Sequence, residues 1–463
     1  MISARLNPHF LIACFALLIL RCSSLAQELR PAPHAQVQIL TPTPGYFTEP
    51  SIAVNPNNSQ QVVSVFQDNA HAAYSHDQGR TWQVVDVAPK AFRISGDVST
   101  TFDNQGHAFV CYIAFDKLGT FNYWAHGATR NGIFVRRSLD GGKTWEPDDH
   151  AVAEQPTATG IPFEDKPYIV ADTNPKSRFL GNLYVGWTRW RLADSQMVIS
   201  RSSDDGKTWS TPLEIDAHPG LPRDDNGAAE GFDGAVAPDG TLYAVWSQDN
   251  DIMLTTSRNG AKSFSHARAI IHTAPIMFAM QALERANGFP QIAVDPKSKR
   301  LYVTWSDYRN GDIDVFISTS DNGGKRWSPA VRVNDDPIHD GADQFFQWLA
   351  VDPTDGSVNV MFYDRRKDPE NRKQMVTLAR STDAGSTFSN YAWTENEFES
   401  NGVFFGDYTG VAAYSGRVYG TWMEKPVPAP EPAKADNKPD EKKETKPEAR
   451  GTIVVVGTAD FNQ

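Results

Sequence analysis

Apolar and polar residues alternate over short runs in this chain, and the runs come in repeated pairs. PSIAV (from Pro50), KPYIVA (from Lys166), PQIAV (from Pro290) and QWLAV (from Gln347) are each followed by a turn and a second apolar run, VVSVF, LYVGWT, LYVTWS and VNVMFY. Three further pairs begin at DVSTTF (from Asp97), DGAVA (from Asp233) and YTGVAA (from Tyr408). A strand sends successive side chains to opposite faces, so short alternating runs bounded by Gly, Asp and Pro predict β-strands rather than helices. A third strand follows in most units, as in IFVRRS, MVISRS and VFISTS, and a fourth lies beyond it, as in AVRVN (Ala330 to Asn334).

Each third strand runs into one short motif. It reads SHDQGRTW (Ser75 to Trp82), SLDGGKTW (Ser138 to Trp145), SSDDGKTW (Ser202 to Trp209), SRNGAKSF (Ser257 to Phe264), SDNGGKRW (Ser320 to Trp327) and STDAGSTF (Ser381 to Phe388). The closing aromatics are 55 to 64 residues apart. A regular period of this length signals supersecondary units that bury their apolar faces only against neighbours. Within the motif, the third residue accepts bonds from turn N–H groups, Gly adopts positive φ, and the aromatic carries apolar area inward. This is a structural staple rather than a catalytic site.

The six segments resemble the Asp-box, S-x-D-x-G-x-T-W, of the sialidase-like propellers, also called BNR repeats. Three match every fixed position, and Asn259, Ala261 and Arg326 are among the departures of the others. With four strands per repeat, the resemblance implies an all-β fold, a single seven-bladed β-propeller of four-stranded blades over residues 27–463. Six blades, the usual count in true sialidases, is the alternative. The seventh unit has two strands and then GTIVVVGTADF without an Asp-box, while Gln36 to Leu40 (QVQIL) belong to no unit. That N-terminal run is expected to supply the missing strand and close the ring, which removes the exposed edges of an open array.

Two segments stand outside the repeat. Arg5, the apolar run Phe10 to Leu20 and the small-residue end Ser24-Leu25-Ala26 read as a secretory signal peptide over residues 1–26. The run is shorter than the roughly twenty residues of a membrane-crossing helix. The expected location is therefore periplasmic or extracellular, with no membrane span in the mature chain. Cys14 and Cys22 leave with the signal, and Cys111, within FVCYIAF, is expected to be a buried small hydrophobe. Residues 425–450, rich in Pro, Lys and Glu, are expected to be a disordered insertion between the second and third strands of the last blade.

Charge narrows the function classes. The 56 acidic and 44 basic side chains leave a formal charge of -12, which argues against a nucleic-acid partner. HExxH, CxxC and Walker patterns are absent, so no cofactor is expected; Asp307 to Asp314 and Asp224 to Asp233 offer oxygen ligands for structural calcium without EF-hand spacing. The resemblance places Asp-boxes on the face opposite the ligand site, which directs attention to the segments leading into the first strands and leaving the second. Those segments carry Glu49, Asp97, Asp165, Glu230, Asp407 and Tyr408 on one side and Asp116, Arg309, Arg365 and Arg366 on the other. Carboxylates bind sugar hydroxyls or protonate a glycosidic oxygen, and guanidinium forks clamp a carboxylated sugar.

The sialidase resemblance implies a Tyr nucleophile, an activating Glu, an Asp acid/base and an arginine triad. Tyr408 in DYTGVAAYSGRVYGTWMEK takes the nucleophile position, Glu230 the activating carboxylate and Asp116 the acid/base. FRIS (Phe92 to Ser95) resembles the family's F/Y-R-I-P and offers Arg93 for the substrate carboxylate, with Ser95 in place of Pro. Arg309, Arg365 and Arg366 are the candidates for the remaining arginines. The expected partner is a glycan or glycoconjugate, with a glycoside hydrolase of sialidase type as one reading. A non-catalytic propeller that binds glycan or protein is the alternative.

Overall fold

The computed structural model describes residues 28–117, 130–156, 162–223, 227–274, 276, 280–426 and 451–462. The expected signal peptide and residues 427–450 of the expected insertion lie outside them. Every regular element among the described residues is a β-strand, and the strands form seven sheets that follow one another along the chain. Blade 1 comprises Thr48–Val54, Val62–Gln67, His71–Ser75 and Gln83–Asp86, paired antiparallel in that order. Blades 2 to 6 repeat the plan, with innermost strands Ile94–Phe102, Phe163–Ala171, Glu230–Val236, Gln291–Val294 and Gln344–Val351. Seven sheets settle the blade count against six.

Blade 7 takes three strands from the C-terminal part, Gly410–Tyr414, Arg417–Glu424 and Ile453–Asp460. Its outer strand is Gln36–Ile39, antiparallel to the last strand with Gln36 opposite Thr458 and Ile39 opposite Val455. The N-terminal segment also adds Arg30–Pro31 in parallel to the outer edge of blade 6, so the two ends of the chain must be joined before the ring is complete.

Apolar residues pack between blades. One cluster joins Val63 and Val65 of blade 1 to Phe102, Val110 and Phe134 of blade 2, and another joins Phe109 and Cys111 of blade 2 to Ile169, Val185 and Trp187 of blade 3. Cys111 is a fully buried core residue, as expected. Trp187, Trp246, Trp305 and Trp422 recur on second strands with no exposed surface. A sheet with two apolar faces is stable only when both are covered, which is why the repeat closes on itself.

The Asp-box turns are built alike. Ser75 Oγ accepts the Gly79 N–H at 2.8 Å, Asp77 accepts the Thr81 N–H at 2.9 Å and the Thr81 hydroxyl at 2.6 Å, and Trp82 Nε1 donates to Gly79 O at 3.1 Å. The same bonds to Asp from the Thr N–H and hydroxyl recur at Asp140, Asp204 and Asp383, and the indole bond recurs at Trp145 and Trp209. Two consecutive residues take positive φ in each turn. In the degenerate fourth box Ala261 holds this conformation at φ 59°, a strain that Gly would relieve.

Candidate functional site

The innermost strands are not regular at their leading ends. In five blades the pairing with the second strand slips by a β-bulge, between Thr48 and Ser51, Gly96 and Ser99, Asp165 and Tyr168, Glu230 and Asp233, and Phe345 and Trp348. Within these bulges Glu49, Asp97, Lys166, Gly231 and Phe346 have positive φ. A bulge re-aims one side chain, and repeated around a ring it assembles one residue from each blade about the axis. Gly231 is required here: a Cβ at this residue would come within 2.5 Å of the Phe289 ring.

The set is lopsided. Blades 1 to 3 contribute Glu49, Asp97 and Lys166, whereas blades 4 to 7 contribute Gly231, Phe289, Phe346 and Tyr408 at corresponding places at or just before the leading end of the strand. Lys166 is 7% exposed and its Nζ pairs with Glu230 Oε1 at 2.9 Å, Asp407 Oδ2 at 3.0 Å and Asp165 Oδ2 at 3.8 Å. Asp407 also accepts Arg285 Nε at 2.6 Å, Arg285 Nη2, and Asn287 Nδ2 at 3.0 Å. Blade 7 is tied to blade 1 across the seam by the Asp407 N–H, which donates to Glu49 Oε1 at 3.2 Å. The Lys166 N–H donates to Asp97 Oδ2 at 3.2 Å.

Five buried carboxyls, those of Glu49, Asp97, Asp165, Glu230 and Asp407, thus share the mouth of the axis with Lys166 and Arg285. Burial, then the nearby Asp407 charge, pushes the Glu49 carboxyl up to about 7. Burial and the charges of Glu49 and Asp165 carry Asp97 well above the usual carboxylate range. Asp407 moves the other way, since the Arg285 and Lys166 charges outweigh its burial. Asp97 lies within hydrogen-bond reach of both Glu49 and Asp165, so a proton on one carboxyl is shared with the next. Like charges this close cannot all ionise, so the cluster holds protons at neutral pH.

A cleft of about 800 Å³ opens over this cluster. Glu49, Asp97, Lys166 and Arg285 form its buried side, Arg93, Lys117, Asp68 and Glu284 also line it, and Tyr46 and Phe404 supply aromatic surface. Tyr46 is 79% exposed at its rim. A smaller pocket beneath, bounded by Tyr168, Phe289, Trp348 and Tyr408, meets the cleft at Lys166.

Of the sequence-derived candidates Arg93 alone lines the cleft; Tyr408 lines the smaller pocket, and Glu230 is buried beside the cleft. Tyr408 packs on Trp348 with ring centroids 5.9 Å apart, and its phenol is raised far above the ordinary range by burial and by the charges of Glu49, Asp97 and Asp407. Glu230 is the partner of Lys166, and Arg93 lines the cleft. Asp116 sits at the end of a strand between Phe115 and Lys117, both of which line the cleft, and its N–H donates to Arg130 O at 3.2 Å.

The other three arginines are engaged elsewhere. Arg309 binds Asp307 through Nε at 2.8 Å and lies over the rings of Trp305 and Phe316. Arg366 joins Asp364 at 2.7 Å to Asp335 at 2.5 Å, linking blade 6 to the end of blade 5. Arg365 is fully buried against Phe345. None of the three lines the cleft. In the segments proposed for calcium, Asp307 is paired with Arg309 and Asp314 with Arg332. Among the described residues no group of three or more His, Cys, Asp or Glu is arranged to hold a metal ion.

Lys166 and Arg285 are the functional candidates that sequence reasoning missed. Lys166 was legible: aligning Glu49-Pro50-Ser51, Asp97-Val98-Ser99, Lys166-Pro167-Tyr168 and Tyr408-Thr409-Gly410 across repeats brings these residues to one place. Arg285 carried no such signal, because it lies in the irregular connection between blades 4 and 5.

Comparison with known proteins agrees with this architecture. The BNR/Asp-box repeat family matches residues 73–84, the first of the six turns. A sialidase from Bacteroides fragilis is 30% identical over 141 residues, which cover 27% of this chain and 24% of the relative. The aligned stretch thus spans about a quarter of that protein. Among solved structures, a polysaccharide lyase of family PL25, an ulvan lyase, has a TM-score of 0.50 at 11% identity, covering 83% of this chain and 93% of its own. A Hadza microbial sialidase has a TM-score of 0.46 at 14% identity, covering 87% of this chain and 73% of its own. With seven four-stranded blades in a closed ring and a turn like the matched BNR/Asp-box repeat on six of them, the chain is a seven-bladed β-propeller that carries Asp-box repeats.

Proposed function

We propose that this propeller acts on an acidic glycan in the cleft at the channel mouth, as a glycoside hydrolase with Tyr408 as nucleophile. The observation that carries the reading is the pair beside Tyr408: Asp97 keeps its proton, while Glu49, raised to about 7, is in part ionised near neutral pH. A phenol in so acidic a setting does not ionise alone and needs a base as it attacks. A carboxyl held near pH 7 is matched to that task. Glu49 therefore takes the proton from Tyr408, and Glu230, neutralised by Lys166, orients the cluster. Asp116 protonates the leaving oxygen from the rim. Arg93, Lys117 and Arg285 favour a sugar carboxylate, and exposed Tyr46 offers a stacking face for a further ring, which favours an oligosaccharide over a free sugar. The Bacteroides fragilis relative, a sialidase, supports a glycan substrate. The export signal read at residues 1–26 would bring the protein to such a substrate outside the cytoplasm, and the reaction as proposed needs no cofactor.

A second reading, glycan binding without turnover, is favoured by one observation: Arg309, Arg365 and Arg366 do not line the cleft, so no arginine triad faces a sugar carboxylate there. Assay of the purified chain on a fluorogenic sialoside and on uronate-containing oligosaccharides separates the two. Hydrolysis lost by at least about a thousandfold in Tyr408→Phe supports the first reading. Calorimetric binding without hydrolysis leaves the second, and absence of both overturns the glycan assignment.

A further inference from the structure

Arg365 is unlike the other buried or half-buried arginines of this chain. Arg189, Arg191, Arg285 and Arg309 each turn the Nε and Nη2 edge of the guanidinium onto a single carboxylate, those of Glu164, Asp194, Asp407 and Asp307. Arg365 has no exposed surface, yet its Nε and Nη2 are buried with no hydrogen-bond partner among the described residues. The group is nevertheless fixed. Its Nη1 donates to Gln281 O at 2.9 Å and Asn371 O at 2.7 Å, and the guanidinium lies 5.0 Å from the centroid of the Phe345 ring. Burial lowers its pKa to about 10, which still leaves it charged at neutral pH.

A second orphan donor lies close by along the chain. Gln374 is fully buried and its Nε2 has no partner, while its Oε1 accepts Ser400 Oγ at 3.4 Å. That same hydroxyl donates to Ala282 O at 2.6 Å, so Arg365 and Gln374 are anchored to the adjacent carbonyls of Gln281 and Ala282. Asp343 and Asp368 offset its charge from nearby, but neither bonds the Nε and Nη2 edge, the edge that chelates anions elsewhere in the molecule, and two buried donors left unpaired are unfavourable unless something accepts them.

We propose that Arg365 holds a small inorganic anion, of which chloride is the type, as a structural ion beneath the Gln281–Ala282 segment. The site is distinct from the cleft, which Arg365 does not line, and its lack of exposed surface suits an ion rather than a sugar. The same connection carries Glu284 and Arg285 into the cleft, so the ion would also steady one wall of the substrate site.

The test is thermal unfolding of the purified chain in sodium chloride against sodium gluconate at equal ionic strength. The expected result is a saturable rise in Tm of about 2 °C or more with chloride, absent in Arg365→Met. An equal Tm in the two salts, or an Arg365→Met variant as responsive as its parent, overturns the proposal. Should that variant fail to fold, a bromide-soaked crystal of the unaltered chain decides. An anomalous peak against Nε and Nη2 supports the site, and no peak at saturating bromide refutes it.

Discussion

The carboxylates on the two faces of this propeller are the same chemical group put to opposite uses. At the Asp-box turns burial is the largest single effect on Asp77, Asp140 and Asp204 and raises them, but hydrogen bonds from Thr and Ser hydroxyls and backbone N–H groups together outweigh it and hold them below the usual range. For Asp383, led by the Thr387 hydroxyl, the value falls to about 2. At the channel mouth Glu49 and Asp97 are buried, crowded by other carboxyls and raised. Local donors stabilise the ionised form on one face, and desolvation with like charge opposes it on the other. The difference identifies which face has proton chemistry available near neutral pH, a distinction that counting acidic residues does not make.

The comparison breaks most severely at Lys166. Replacing it in Lys166→Met leaves Glu230 and Asp407 buried beside three other carboxyls without the ammonium that pairs with both. Unfolding in denaturant should show a loss of about 3–5 kcal/mol. A loss below about 1 kcal/mol would mean that the acids simply take up protons and that the lysine is not what holds the mouth together.

Glu49→Gln sharpens the contrast through pH. A carboxyl raised from its unfolded value to about 7 binds more protons when folded, so its contribution to stability declines as pH rises from about 4.5 through 7. The variant should lack that decline, and if the proposed hydrolysis holds, kcat should fall about a hundredfold with loss of the limb near pH 7. An unaltered pH–rate profile would remove Glu49 from the reaction.

Asp383→Asn tests the opposite face and the opposite sign. Its depressed carboxyl stabilises the fold above the unfolded pKa, near 4, and that stabilisation disappears as pH falls towards 2. The substitution should destabilise at pH 7 by about 1 kcal/mol, from the lost hydrogen bonds to Thr387, and leave unfolding between pH 4 and 2 less steep. Turnover should be unchanged, because the turn lies far from the cleft lining.

Much of the fold was readable from residues alone. Ser75, Asp77, Gly79 and Trp82 interact within one turn, so their spacing in sequence is their spacing in space, and the motif reports its own structure. The odd strand Gln36–Ile39 was legible because a blade short of a strand leaves an open edge. The arginines show where such reading stops. Arg309 and Arg366 share the polar context of Arg93, yet Asp307 and Asp364 engage them from two residues away, and Asp335 becomes a neighbour of Arg366 only in the folded ring.

The sequence by itself determined the repeat, the strand order within each blade and the chemistry of the turns, since these depend on contacts a few residues apart. Only the tertiary structure decided which residues meet on the axis. Glu49, Lys166 and Asp407 lie in blades 1, 3 and 7, and bulges at the leading ends of the inner strands turn Glu49 and Lys166 inward. Their protonation follows from mutual distance and burial, quantities that exist only after the ring has closed.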